Sequence, residues 1–453
     1  MYGPDSEAVE PQIVIIGGGF GGLAAARRLR NAPVQVTIID RHNHHVFQPL
    51  LYQVATGELS PADIASPLRR LLKHQVNTRV LLGEVVKIDA QQQTVQLYDQ
   101  RTIRYDKLIV AAGARSNYFG NSQWEEHAPG LKTIEDAVEV RRRILHAFEM
   151  AELSSDPEEI REWLTFAIIG GGPTGVEMAG ALAEIAHQTF KRGFHNIDPA
   201  DARIVLIQSS ERILPPYRPQ LSARARTMLE RMGVEVITHS RVVDVSPDGL
   251  TIANGDERSS LRTRSPLWAV GVRASPLGKV LARATGVELD RGGRVKVTSY
   301  AGVPGYPDVF VIGDLAHFQD KNGKPLPGVA QVAIQQGKYV ARLIEARLSG
   351  KTVPAFRYFD RGSMATIGRG AAVAQIGPLH LSGWLAWQIW LFVHLMYQLD
   401  FENRILALVQ WLWNFFTGDR SALLMIDTEQ PSQGAVEAKY ATESGTWPVV
   451  GGD

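Results

Sequence analysis

An α/β fold with two Rossmann-like dinucleotide-binding domains, followed by C-terminal amphipathic helices of the membrane-attachment kind, is what the sequence predicts. Three observations predict it. A β-branched run, a glycine-rich turn and a helical segment follow one another near the start; the same succession returns from Thr165; and after Arg369 the chain turns uncharged and rich in tryptophan.

The first unit opens with Gln12–Ile16, a short strand-like run, then Gly17-x-Gly19-x-x-Gly22 and the helical stretch LAAARRLR. In such a turn the first glycine permits the tight bend, the second lets the backbone approach a pyrophosphate, and the third allows close helix–strand packing. The pyrophosphate would rest on the helix N-terminus, whose free N–H groups favour anions. A second strand, VQVTIID, ends in Asp40, placed where a carboxylate accepts hydrogen bonds from ribose hydroxyls. The glycine fingerprint by itself is weak; strand, helix and acid together make it specific. Residues 79–110 then alternate in the manner of strands.

The second unit repeats the plan with Thr165–Ile169, Gly170-x-Gly172-x-x-Gly175 and the helical VEMAGALAEIA, and residues 234–273 repeat the strand-rich texture. Its next strand, ARIVLIQ, ends in Gln208 where the first unit has an acid. Gln208 can bond a 2′-hydroxyl but does not repel a 2′-phosphate, and Arg212 is near enough in sequence to pair with one or to be an ordinary loop charge. NADH and NADPH both stay open. Two such sites in one chain suggest a relay between a tightly held flavin and an exchangeable nicotinamide.

Composition narrows the chemistry. At roughly 100–200 residues per domain, 453 residues make two to four domains. The 48 Lys and Arg balance 47 Asp and Glu, giving no electrostatic case for nucleic acid. With no cysteine, thiolate metal sites, Cys-ligated clusters and disulfide exchange are excluded, no metal site is expected, and redox work needs a borrowed cofactor. The N-terminal stretch carries Asp5, Glu7 and Glu10 where a secretory signal would be basic, so the bulk of the protein is expected in the cytoplasm.

From Gly370 to Leu399 there is no Asp, Glu, Lys or Arg, and five of the nine tryptophans lie between Trp384 and Trp413. That length exceeds the roughly 18 residues of a spanning helix. Gln388, His394 and Gln398 nevertheless share one arc of a helical wheel, tryptophan favours the interface, and Asp400–Arg404 interrupts before a second stretch too short to span. Two helices lying in one leaflet fit better than a span; an apolar core or dimer interface, with His394 an interior histidine, is the third reading. The segment from Asp427 onward carries five acids and one lysine and reads as a flexible tail.

Asp40-Arg41-His42-Asn43-His44-His45-Val46-Phe47-Gln48-Pro49-Leu50-Leu51-Tyr52-Gln53-Val54-Ala55, with LIVAAGA, GGGPTGVEMAGAL, VFVIGD and AQVAIQQG, resembles the type II NADH dehydrogenases, single-subunit NADH:quinone oxidoreductases, from about residue 10 to about residue 425. The resemblance implies a two-dinucleotide-binding-domain flavoprotein that oxidises NADH at a tightly bound FAD and reduces a membrane quinone, commonly as a homodimer seated on the lipid bilayer surface. Carried over by position, Gly17, Gly19, Gly22 and Asp40 hold the FAD adenosine diphosphate, Ala112 and Gly113 close over it, and Gly313 and Asp314 meet its ribityl chain. Gly170, Gly172, Gly175 and Gln208 serve NADH, and Glu177 reaches the nicotinamide end. By physics alone Glu177 is an acid in the first turn of a helix, complementing the macrodipole. Gln331 and Gln335, at i and i+4 on one helix face, are brought to the quinone.

Two departures from the family stand out: Arg361 replaces a common lysine in the DKG segment, keeping charge but not titration behaviour, and the usual acid is missing at Gln208. The implied organisation is an FAD-binding domain from 10–121 and 294–378, an NADH-binding domain over 122–293, membrane-attachment helices over 379–425 and a tail over 426–453. The expected location is the cytoplasmic face of the cell membrane, without proton pumping, because pumping needs ionisable groups in spanning helices. The rival functions are a soluble reductase of a ferredoxin or rubredoxin, which would not need the tryptophan-rich zone, and a flavoprotein serving as a redox-dependent binding or membrane-docking module.

Overall fold

The structure, a computed structural model, describes residues 10–191, 193–420 and 422–425; the expected tail over 426–453 lies outside the described residues. Its centre is two parallel sheets of the same winding. The first runs, edge to edge, Gly302–Val303, Tyr306–Val311, Lys107–Val110, Gln12–Ile16, Gln35–Asp40 and Thr78–Leu82, parallel throughout except for the first pair. The second runs Val234–Ile237, Arg203–Ile207, Thr165–Ile169 and Ser265–Trp268, all parallel. In each, the strand before the glycine turn is where the winding reverses, leaving a crevice at its carboxyl end. Thr165–Ile169 is buried along its whole length, which is why it reads as an unbroken apolar run.

The first glycine turn leads into the helix Phe20–Arg28, crossed by the long helix Ala330–Leu348, here the glutamine helix. The crossing is made of glycine. A Cβ at Gly337 would overlap the Gly21 carbonyl oxygen, and one at Gly21 would meet Ile312 Cδ1 at 3.0 Å. This close approach carries the N-terminus of the glutamine helix to the first crevice.

The zone after Arg369 is not one long helix. Ala371–Ile376 and Leu379–Gly383 are strands paired antiparallel with Ser363–Gly368, and the helix begins only at Trp384. The β-branched and small residues of AAVAQI pair as a hairpin around Gly377, whose φ of +54° suits the turn. This small sheet packs on the second glycine helix, Pro173–Glu184, tightly enough that a Cβ at Gly180 would overlap the Ile367 carbonyl oxygen.

Two helices close the chain: Trp384–Tyr397, the tryptophan helix, and Phe401–Thr417, the final helix. Ala386, Trp390, Ala407 and Trp411 are buried in the same core as Ile168 and Leu206 of the second sheet and Leu50–Ala55 of the first unit. The opposite faces expose Trp384, Phe392, Phe401, Trp413 and Phe416, the last at 80 %. Among the described residues no helix is long and apolar enough to cross a membrane. Two residues of the polar arc, His394 and Gln398, face protein. Gln398 is buried with its Nε2 on the Asp63 carbonyl, and His394 stacks on Trp390 with Nδ1 on the Trp390 carbonyl oxygen at 2.8 Å. Burial pushes His394 down to about 4, so it is neutral at pH 7, an interior histidine.

Candidate functional site

A cleft of about 860 Å³ opens at the end of Gln12–Ile16. Gly17, Gly19, Asp40, Ala112, Gly113, Gly313 and Asp314 all line it, with Ala330 and Ala333 from the start of the glutamine helix. Gly17 holds φ +104°, the left-handed region, and a Cβ on Gly22 would overlap the Gly17 carbonyl oxygen. Gly22 therefore lies beneath the loop and fixes it. A Cβ on Gly19 would meet no protein atom within 4 Å, so that position opens onto the cleft.

Asp40 does more than line the cleft. Its Oδ2 accepts from Gly18 N at 2.6 Å and its Oδ1 from His42 N at 2.8 Å, so the carboxylate shapes the glycine loop while each oxygen keeps a lone pair for another donor. His45 Nδ1 meets the Gly18 carbonyl oxygen at 3.0 Å, and burial pushes this histidine down to about 4. Neutral, with Nδ1–H donating to Gly18, it presents Nε2 as a buried acceptor without a partner in a residue that lines the cleft. Gly313 N donates to Oε1 of the fully buried Gln336 at 2.7 Å, which locks the turn carrying Asp314 to the glutamine helix. His45 and Gln336 sit within the quoted motifs, yet no spacing rule marks them; a side chain one position out of step with the i, i+4 pair was the available hint for Gln336.

The second turn is built alike. Gly170 holds φ +112°, and a Cβ on Gly175 would overlap the Gly170 carbonyl oxygen. Gln208 stands in for Asp40: its Oε1 accepts from Gly171 N at 2.8 Å, and its Nε2 donates to Ser210 Oγ at 2.5 Å. The amide does the carboxylate's structural work without its charge. Arg212 turns back on its own loop, donating to the Pro215 carbonyl oxygen at 3.0 Å and lying 3.6 Å from Glu211. A Gln208→Glu variant keeps the acceptor for Gly171 and adds a negative charge. Its ratio of NADPH to NADH KM should rise about tenfold, roughly 1.4 kcal/mol of discrimination; an unchanged ratio in steady-state kinetics would place the second ribose elsewhere.

Glu177 lies just past the first turn of Pro173–Glu184, not within it, so the macrodipole does not account for it. It lines a second, small cavity of about 50 Å³, with Tyr52, Gln53, Glu58, Glu184, Arg369, Arg420, Trp390 and Trp411. Burial raises its carboxyl well above the usual carboxylate range, against the opposing pull of the Thr366 N–H. Gln331 and Gln335 line neither the cleft nor this cavity. Gln335 is fully engaged: Nε2 donates to the Phe359 carbonyl oxygen at 2.9 Å, and Oε1 accepts from Phe359 N at 3.0 Å. Arg361 donates to the Tyr397 hydroxyl at 2.8 Å, tying the DRG segment to the end of the tryptophan helix.

Residues 11–337 match the family model described as pyridine nucleotide-disulphide oxidoreductase, and residues 361–420 match the NDH2 C-terminal domain. The disulphide chemistry in the first name has no cysteine here to perform it. The chain is 47 % identical over 443 residues to the type II NADH:quinone oxidoreductase Ndh of Mycobacterium tuberculosis, covering 96 % of this chain and 94 % of that protein. It is 45 % identical to NdhA of the same organism, covering 99 % and 98 %. Among solved structures, NDH2 of Plasmodium falciparum in complex with NADH superposes with a TM-score of 0.84 at 22 % identity, over 92 % of this chain and 100 % of that one, a likeness of fold. The second glycine turn, the hairpin sheet and the two closing helices thus fall within matched regions, and the chain belongs to the type II NADH:quinone oxidoreductases.

Proposed function

We propose that this chain oxidises NADH and reduces a membrane quinone at a bilayer surface, with FAD in the large cleft and NADH on the second glycine turn. The observation that carries the reading is the pair of equivalent phosphate-cradling turns, opened by Gly17 and Gly170, in a chain of this family. The cleft suits FAD: its volume is within the roughly 300–1,000 Å³ of cofactor sites, Gly19 leaves room at a helix N-terminus for pyrophosphate, and His45 offers an unpartnered acceptor to a hydroxyl-bearing group. When bound, FAD would accept a hydride from NADH and return two electrons to quinone.

The chain's own residues position and screen. Asp40 directs its free lone pairs at the adenosine ribose, and Asp314 faces the ribityl chain. The N-terminus of the glutamine helix, with no side-chain cap, supplies a partial positive charge where negative charge develops in the cleft. Glu177, whose carboxyl burial raises well above the usual carboxylate range, is the residue we assign to hydrogen-bonding the nicotinamide carboxamide. Because Gln335 is occupied by Phe359, Gln331 is the residue we assign to the quinone headgroup, with Gln335 fixing the neighbouring segment.

The apolar faces of the tryptophan and final helices would rest in one leaflet, their small and aromatic sides held by the core. Turnover is proposed to proceed without proton pumping. NADH-dependent formation of quinol from a short-chain quinone by the purified protein tests the activity, and a flavoprotein that oxidises NADH but never reduces quinone would contradict it. Attachment is tested by Trp413→Glu with Phe416→Glu, both on exposed positions. These should leave the unfolding temperature unchanged and cut sedimentation with anionic liposomes at least tenfold. Undiminished binding would contradict the seating on lipid.

A further inference from the structure

The small cavity beneath the tryptophan helix is unlike a substrate pocket. At about 50 Å³ it is too small for a quinone ring, but at roughly 10–15 Å³ per water centre it holds about three to five waters. Its wall mixes charged and polar side chains with apolar and aromatic ones. Of its lining, Gln188, Arg369 and Phe415 are exposed, while Tyr52 and Trp390 are buried. Trp390, only 1 % exposed, has an indole N–H with no acceptor in the protein, as expected of a group that bonds an internal water.

Side chains around the cavity divide the work. Glu184 is held in place, accepting from Arg420 Nη2 at 3.0 Å on one oxygen and from the Arg369 backbone N–H at 2.5 Å on the other. Glu58 accepts no hydrogen bond among the described residues, so its carboxyl is left for water. Tyr52 is oriented by a chain: Trp411 Nε1 donates to Gln53 Oε1 at 2.9 Å, and Gln53 Nε2 donates to the Tyr52 hydroxyl oxygen at 3.0 Å. With its oxygen accepting from Gln53, the Tyr52 O–H is free to donate onward. Tyr52 shares the cavity wall with both Glu58 and Glu177 and feels the charge of each.

Given the NADH:quinone reading above, on which the inference rests, we propose that this cavity is a water-filled proton inlet: Glu177 releases its proton toward quinol formation and regains one from Glu58 through the Tyr52 hydroxyl, and Glu58 is refilled from solvent. The need for it is stoichiometric. NADH supplies two electrons and one proton, quinol formation consumes two electrons and two protons, and NADH + H⁺ + Q gives NAD⁺ + QH₂. The missing proton comes from water. In each relay step an O–H bond of the donor breaks as one forms on the next oxygen, and Glu58 is restored from the exposed mouth. Glu58 acts through Tyr52 and Glu177 and is a positioning residue for the proton.

The groups facing Glu58 are Glu184, Arg369, Arg420, Tyr52 and, farther in, Glu177. Burial raises it from 4.5 to about 7, with Arg420 and Arg369 opposing and Glu184 reinforcing, which suits it to give and regain a proton near neutrality. The folded state then holds a proton that the unfolded chain loses, so stability falls as pH rises from 4.5 to about 7 and levels above.

The test compares FAD-loaded full-length protein with Glu58→Gln and Glu58→Asp, using ferricyanide, which accepts electrons without protons, and a short-chain ubiquinone. Glu58→Gln should reduce ferricyanide within about twofold of the unmodified protein and quinone at least tenfold more slowly at pH 7. Its quinone rate should lose the decline above about pH 7, and Glu58→Asp should recover part of it. Without reference to activity, its unfolding temperature should lose the decline between pH 4.5 and 7. Equal quinone rates, or both acceptors slowed alike, would overturn the inlet, as would an unaltered pH profile of unfolding. Failure of the unmodified protein to reduce quinone would instead overturn the function itself.

Discussion

Gly22→Ala is expected to give unstable, colourless protein, whereas Gly19→Ala gives stable protein that cannot keep its flavin. The two glycines belong to one turn but answer to different neighbours. A Cβ on Gly22 overlaps the Gly17 carbonyl oxygen, backbone that cannot step aside without unseating the strand Gln12–Ile16, and the cost is about 3 kcal/mol or more. A Cβ on Gly19 meets nothing in the protein and its φ of −69° suits alanine, so folding loses only the N-cap preference for glycine over alanine, about 1 kcal/mol. That methyl would occupy the approach to the pyrophosphate, and we expect flavin affinity to fall about 100-fold, roughly 3 kcal/mol. Thermal unfolding with visible flavin absorbance separates the two outcomes. Gly172→Ala should act in parallel on NADH, raising its KM while the flavin stays bound. If Gly19→Ala retained full flavin, the pyrophosphate would not lie over this turn.

Arg420→Met carries the other large effect, on stability. Its guanidinium, about 4 % exposed, donates to the carbonyl oxygens of Thr56 at 2.9 Å and Ala181 at 3.2 Å and to Glu184 at 3.0 Å, so one side chain joins the C-terminal stretch to both units. Methionine fills much of the volume but leaves a largely buried carboxylate and two carbonyls short of their donor. Breaking such a pair from one side costs about 3–5 kcal/mol, a fall on the order of 5–10 °C in unfolding temperature. Replacing Glu184 with Met as well should recover part of the loss, because the stranded charge goes with it. An unaltered unfolding temperature in Arg420→Met would mean that the closing helices are held by Trp390 and Trp411 alone.

What the sequence made legible was local. Strand, glycine turn and helix lie within a few residues of one another, and the physics that demands glycine at 17, 19 and 22 or at 170, 172 and 175 acts over the same short range. Asp40 and Gln208 were found through their spacing, although their contact with the loop N–H groups was not foreseen. The zone from Gly370 to Leu399 misled by its lack of charge: a half-buried hairpin and a half-exposed helix are equally uncharged, and periodicity does not separate short apolar strands from helix. The polar arc of Gln398 and His394 faced protein because its partners, Asp63 among them, are distant in sequence. Distance along the chain hid the small cavity too. Glu58, Glu184 and Arg420 come from three separate segments, and neither motif nor spacing brings them together.

The central claim is that two equivalent glycine turns bring a nicotinamide and a flavin into one reaction that ends on quinone. Anaerobic titration of the purified protein measures it most directly. One equivalent of NADH per chain should bleach the flavin, and one equivalent of short-chain quinone should restore the colour. Protein that is colourless when its cofactor has been supplied, or flavin that bleaches and is not restored by quinone, would contradict the account.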